Sequence, residues 1–176
     1  MGLTRSSVGR MAEARPGTAA PAGHSIALAG NPNVGKSTLF NTLTGLRQHT
    51  GNWPGKTVAM AQGKCRLGAE TYCLTDLPGT YSLRARSLDE EVSRDVVLGT
   101  RKGEAAPDVL VCVADATNLR LVLRLALELK QVGRPMVMAL NMYDIAQRQG
   151  LQIDLEGLSR DLGMPVVTTV ATRKRG

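Results

Sequence analysis

Apolar residues in this 176-residue chain cluster into short continuous runs. Ile26–Gly30 (IALAG), Val109–Ala114 (VLVCVA), Pro135–Leu140 (PMVMAL) and Pro165–Val170 (PVVTTV) read as strands buried on both faces. Thr57–Leu67 and Glu70–Asp76 read as a strand pair separated by Gly68. Between these runs the spacing turns helical, over Lys36–Thr44, Leu88–Gly99, Asn118–Val132 and Asp154–Leu162. In Asn118–Val132 it places Leu119, Val122, Leu123, Ala126, Leu127 and Leu129 largely on one face. Leu88–Gly99 opens with acidic residues, which suits the positive end of a helix dipole. Strands alternating with helices predict an α/β fold: a mostly parallel, six-stranded sheet with helices on both faces. Ligands in such sheets sit at the carboxyl ends of the strands.

Composition narrows this picture. Hydrophobic residues make up 43% and aromatics only 3%, so the core is aliphatic. The length suits one domain. Met1 to Gly23 is rich in Gly, Ala, Ser, Arg and Pro without periodicity and reads as a disordered basic leader. The ordered domain is expected from His24 onward. Net charge is +7, from 22 basic and 15 acidic residues. The basic residues are spread out, with no interleaved aromatics to stack bases, so a nucleic-acid partner is not expected. No apolar run approaches the roughly 18 residues needed to span a bilayer, and the N-terminus lacks the apolar core of a secretory signal. Cys65, Cys73 and Cys112 fit no metal spacing and read as buried free thiols of a reducing compartment.

The chemistry begins where the first strand ends. Gly30, Gly35, Lys36 and Ser37 match G-x-x-x-x-G-K-[ST] between a strand and a helix. Glycines let backbone N–H groups turn around an anion, and the helix N-terminus adds its dipole. Lys36 is expected to reach the β- and γ-phosphates, and the Ser37 hydroxyl to ligate Mg²⁺. This makes the fold a three-layer P-loop NTPase of the Ras-like G-domain type.

Two further motifs follow in order. Asp76-Leu77-Pro78-Gly79 ends a strand and matches D-x-x-G. Its Asp is expected near Mg²⁺, and the Gly79 N–H is placed to sense the γ-phosphate. Asn141-Met142-Tyr143-Asp144 follows PMVMAL and matches N-x-x-D. A carboxylate at Asp144 accepts the N1–H and exocyclic N2–H₂ of guanine, whereas adenine offers an unprotonated N1. The site therefore selects GTP and GDP over adenine nucleotides. Asn141 is expected to tie this loop to the phosphate loop. Ala171-Thr172, after the last strand, occupies the place where a backbone N–H meets the guanine O6. His49 to Thr57 is Gly/Pro-rich, contains the only Trp, Trp53, and places Thr57 to close over the nucleotide and ligate Mg²⁺. Its polar, turn-rich neighbours make Trp53 an exposed or mobile site. Thr80 follows DLPG where Ras-like proteins carry a water-orienting Gln. Intrinsic hydrolysis is therefore expected to be slow.

Taken together, GNPNVGKSTLFN, GNWPGKTV, DLPGTYSL, NMYD and TRKRG make residues 24–176 resemble the cytoplasmic G domain of the bacterial ferrous iron transport protein B family, among TrmE-Era-like GTPases. The resemblance implies a Mg²⁺-dependent, K⁺-stimulated GTPase that regulates or drives Fe²⁺ uptake at the cytoplasmic face of the inner membrane. It makes this chain alone soluble and cytoplasmic. Its implied partners are the transporter's own membrane domain and other small iron-uptake proteins. It implies catalytic roles for Lys36, Asn33, Thr57 and Gly79. Nucleotide contacts are implied at Gly30, Asn31, Pro32, Asn33, Val34, Gly35, Lys36, Ser37 and Thr38. Others are implied at Gly55, Lys56, Thr57, Val58, Asp76, Leu77, Pro78, Gly79, Asn141, Met142, Asp144, Ala171 and Thr172. Ser37, Thr57 and Asp76 would hold Mg²⁺, and Asn33 a K⁺ standing where an arginine finger puts its charge. Asn31 reads only as a loop-shaping residue. The chain ends where the family's last G-domain helix begins. This predicts a C-terminally truncated domain with exposed apolar sheet surface and marginal stability, without the helical regulatory and membrane domains. Two other readings stay open: a switch that gates by nucleotide state rather than turnover, and an Era- or tRNA-modification-type GTPase acting on RNA or the ribosome.

Overall fold

Residues 23–45, 48–52, 59–100 and 105–176 are described by a computed structural model. Seven strands form one sheet: β1 (Ser25–Gly30), β2 (Gln48–Asn52), β3 (Ala59–Leu67), β4 (Glu70–Asp76), β5 (Val109–Asp115), β6 (Met136–Asn141) and β7 (Val166–Thr168). Their order is β2-β3-β4-β1-β5-β6-β7. Strands β4, β1, β5, β6 and β7 run parallel, while β3 is antiparallel to both β4 and β2. The six expected strands are joined at the edge by β2. Its sequence, QHTGN, has no apolar alternation to announce it.

The helices are α1 (Lys36–Thr44), α2 (Leu88–Leu98), α3 (Leu119–Lys130), α4 (Tyr143–Arg148) and α5 (Leu155–Leu162). The pleat divides the strand side chains between two faces. Ala27, Ala29, Leu110, Cys112, Ala114, Met138 and Leu140 pack against Val92 and Val97 of α2, Val122, Leu125, Ala126 and Leu129 of α3, and Leu162 of α5. Leu28, Cys65 and Leu74 face Phe40 of α1, the chain's single phenylalanine, which is fully buried. Val113 and Ala139 pack with Val34, Leu39 and Ala171. On this second face Val111 and Val137 are half-buried and Val167 is 44% exposed.

Three expectations change. On α3 it is Leu125 that is buried, and Leu127 is 48% exposed. Steps of 100° put residues 122, 125, 126 and 129 in one stripe and turn 127 away from it. Cys65 and Cys112 are buried free thiols as expected, but Cys73 is only half-buried. The N-x-x-D segment is not all loop, because Tyr143–Arg148 forms a helix too short to show a period. Helix α2 starts one residue after Ser87, whose hydroxyl accepts the Glu90 N–H at 3.3 Å. The expected acidic first turn is there, as Asp89, Glu90 and Glu91.

Strand register brings the chemistry together. Gly30, Asp76, Asp115 and Asn141 each end a strand, and the pairings Leu28↔Asp76, Gly30↔Val113 and Asp115↔Asn141 align those ends along one rim.

Candidate functional site

The phosphate-loop motif turns from β1 into α1 through residues 31–35. Gly35 has φ 82°, and a Cβ there would lie 2.3 Å from Asn141 Nδ2, so both conformation and space require glycine. Asn33 is also left-handed, at φ 65°, and exposed, as are Pro32 and Thr38; Val34 is buried beneath the loop. No acidic residue occupies the first turn of α1, so its N-terminal N–H groups face no competing carboxylate from that turn.

Two motif residues converge on the D-x-x-G aspartate. Lys36 Nζ lies 2.9 Å from Asp76 Oδ1, with both side chains 9% exposed. The Ser37 hydroxyl donates to Asp76 Oδ2 at 2.6 Å. Beyond Asp76, Leu77 is buried and its N–H bonds Leu28 O at 3.1 Å. The Pro78 carbonyl accepts Ser93 Oγ at 2.9 Å. Gly79 lies against the phosphate loop, where an added Cβ would sit 3.0 Å from Pro32. Thr80 is 1% exposed; its N–H donates to Gly30 O at 3.1 Å and its hydroxyl to Ser82 O at 2.7 Å.

The N-x-x-D motif joins the same site from β6. Asn141 is 3% exposed, and its Nδ2 donates to Val34 O at 3.0 Å. Its Oδ1 accepts from Thr169 Oγ1 at 3.2 Å and from Ala171 N at 3.1 Å. One side chain thus ties together the phosphate loop, the N-x-x-D loop and the turn after β7. Met142 sits at φ 59° and caps α4, which places Asp144 in the first turn. The Asp144 carboxylate lies 3.2 Å from Arg148 and 3.8 Å from Arg173, both largely exposed cations. Ala171 and Thr172 lie in a 3₁₀ turn (Ala171–Arg173), whose Ala171 carbonyl accepts Thr42 Oγ1 of α1 at 3.0 Å.

Asn31 does more than shape the loop. It is 2% exposed, and its Nδ2 donates to Leu121 O of α3 at 2.9 Å. That partner lies ninety residues away, so no local spacing signals it. The loop also borders a cavity of about 260 Å³ shared with Tyr81, Asp115, Asn118 and Leu121. Trp53, Gly55, Lys56, Thr57 and Val58, like the leader over residues 1–22, lie outside the described residues.

The family profile of ferrous iron transport protein B matches residues 24–176. The chain belongs to this family. The Fe(2+) transporter FeoB of Salmonella typhimurium is 48% identical over 155 residues, covering 86% of this chain. The match takes in only 19% of that transporter, so the chain spans about a fifth of such relatives. The cytosolic domain of the T. maritima FeoB iron transporter is 42% identical in each of two solved forms. Its GMPPNP form superposes with a TM-score of 0.81, covering 87% of this chain and 59% of that one. Its GDP form gives 0.80, covering 87% and 58%. The fold is therefore the FeoB G domain, a P-loop GTPase fold. Among the described residues no helix is long and apolar enough to cross a membrane.

Proposed function

We propose that this chain binds GTP and GDP and slowly hydrolyses GTP, as the nucleotide-responsive domain of an Fe²⁺ uptake transporter. The observation that carries this reading is Asn141. It fastens the N-x-x-D loop to the phosphate loop and leaves Asp144 one helical turn's start away, where a guanine edge can meet a carboxylate.

In this reading the phosphates compete with Asp76 for the Lys36 ammonium. The buried pair at 2.9 Å is then a resting arrangement that holds the lysine side chain beside the loop. Ser37 and Asp76 present a hydroxyl and a carboxylate, the hard oxygen donors that suit Mg²⁺. Among the described residues no three His, Cys, Asp or Glu side chains cluster, so the ion would draw its other ligands from the nucleotide, water and Thr57. Bound there, Mg²⁺ would neutralise charge on the β- and γ-phosphates. Asn33, exposed in its left-handed bend, is available to a K⁺ beside the phosphates. Thr80 has its hydroxyl committed to Ser82 and its side chain inside, so it does not orient attacking water. Slow turnover follows, with gating or driving of a membrane domain as the use of the cycle. The same reading places the chain on the cytoplasmic side of the inner membrane, as the T. maritima counterpart is a cytosolic domain. Other small iron-uptake proteins are candidate partners.

The test is Asp144→Asn. GTP and GDP affinity, titrated with fluorescent nucleotides, should fall by at least about a hundredfold, since guanine loses the acceptor for N1–H and N2–H₂. Xanthosine nucleotides, with an oxygen at the 2-position, should gain. Unchanged guanine-nucleotide affinity sinks the assignment.

A further inference from the structure

Glu128 sits in the last turn of α3, at the negative end of the helix dipole, where a carboxylate is disfavoured. What holds it there is the loop that follows D-x-x-G. Its Oε2 accepts Ser82 Oγ at 2.7 Å and Leu83 N at 2.6 Å, and its Oε1 accepts Arg124 Nε at 3.1 Å. Ser82 is bound back to Thr80, and the Thr80 N–H is bound to Gly30 O. Two helical turns before Glu128, on the same face of α3, Leu121 O accepts Asn31 Nδ2. The contacts close a ring: Gly30, Thr80, Ser82, Glu128, along α3 to Leu121, then Asn31, the neighbour of Gly30. Gly79 adjoins this ring as the neighbour of Thr80 and lies against Pro32. Partial burial raises the Glu128 carboxyl, but the bonds from Ser82, Leu83 and Arg124 outweigh it and hold the group below its ordinary value. The bonded carboxylate is thus the favoured form.

We propose that Glu128 is a positioning residue of the nucleotide site, which fixes Gly79 through Ser82 and Leu83 and thereby sets how strongly a γ-phosphate is preferred over its absence. The proposal rests on the guanine-nucleotide reading above. The phosphate-loop end of the ring is covalently continuous with the β-phosphate cradle. Apart from Arg124 on its own helix, the Glu128 side chain bonds the loop that carries Gly79. Loosening it changes what a γ-phosphate meets and leaves the contacts to a nucleoside diphosphate in place.

The experiment titrates wild type, Glu128→Ala and Glu128→Gln with fluorescent GDP and GMPPNP. Glu128→Ala should keep GDP affinity within twofold and weaken GMPPNP roughly five- to tenfold, within the usual range of coupling between sites. Glu128→Gln retains an acceptor oxygen for Ser82 and Leu83 and should recover most of the GMPPNP loss. Equal weakening of both nucleotides, or no change in either, overturns the proposal. If Glu128→Ala fails to fold by circular dichroism, Ser82→Ala, in the half-buried loop, must show the same direction of change. An unchanged GMPPNP-to-GDP ratio there overturns the proposal as well. Wild type that binds neither nucleotide overturns the guanine reading and the Glu128 role with it, whereas wild type that binds both isolates the failure to Glu128.

Discussion

Asn31 and Asn33 lie two residues apart in one loop and point to different chemistry. Asn33 is exposed at φ 65°, while Asn31 is buried and bonded to α3. Asparagine tolerates the left-handed region better than most residues, so the bend at Asn33 and its side chain are separable contributions. Asn33→Gly keeps the backbone conformation and removes the amide, whereas Asn33→Ala adds a strain of about 1 kcal/mol to the same loss. Both should abolish any preference for KCl over NaCl in GTP hydrolysis rates, with Asn33→Gly retaining nucleotide affinity. A K⁺-to-Na⁺ ratio equal to wild type in Asn33→Gly removes Asn33 as the cation ligand. The phosphate loop was legible because Gly30, Gly35, Lys36 and Ser37 stand at a fixed local spacing between a strand and a helix. Asn31 and Glu128 were not, because each acts through a partner brought near only by the fold.

At the level of elements, continuous apolar strands declared themselves and marginal ones did not. Strands β1, β5 and β6 lie inside the sheet and are apolar except at one end, at Ser25, Asp115 and Asn141, so they read as continuous apolar runs whose ends fell within a residue of expectation. Edge strand β2, QHTGN, has no apolar alternation, and α4 is only six residues long, too short to show a period. Helix α3 and most of its inward stripe were legible, but the spacing points to Leu127 in place of Leu125 because leucines occur on both sides of the stripe. This disagreement can be measured. Leu125 is fully buried beside Val122 and Leu129, so Leu125→Ala should lose about 2–5 kcal/mol in urea denaturation. Leu127 is 48% exposed, so Leu127→Ala should stay within about 0.5 kcal/mol of wild type. The reverse order would mean that α3 is rotated about its axis relative to the sheet.

Across the whole molecule, ionisable groups bound the pH range in which the fold is stable. On the acid side three carboxyls among the described residues are held below their ordinary values of 3.8 for Asp and 4.5 for Glu. The Ser25 N–H and hydroxyl lower Asp108 and clamp the starts of β1 and β5. The Arg86 N–H lowers Glu90 at the head of α2. At Glu128 the loop bonds outweigh burial. Each folded carboxyl holds its proton less tightly than the unfolded one. Its contribution is therefore present above 4.5 or 3.8 and is lost as pH falls through that range. On the alkaline side burial pushes the Cys112 thiol from 9.0 up to about 12, and pushes Cys65 upward too. A folded thiol that resists ionisation contributes stability below pH 9.0 and loses it as pH rises toward 12, because the unfolded chain ionises first. Denaturation free energies should therefore be nearly flat between about pH 5 and 9 and fall on both sides. Cys112→Ala lowers the plateau, since it empties a packed site between β1 and β6, but it should leave the acid limb parallel to wild type. The alkaline limb should become shallower by up to about 1.4 kcal/mol per pH unit, the weight of one group. An alkaline limb as steep as wild type would mean that the buried thiol does not govern it, and would turn attention to the Tyr72 phenol, which its bond to Glu70 raises.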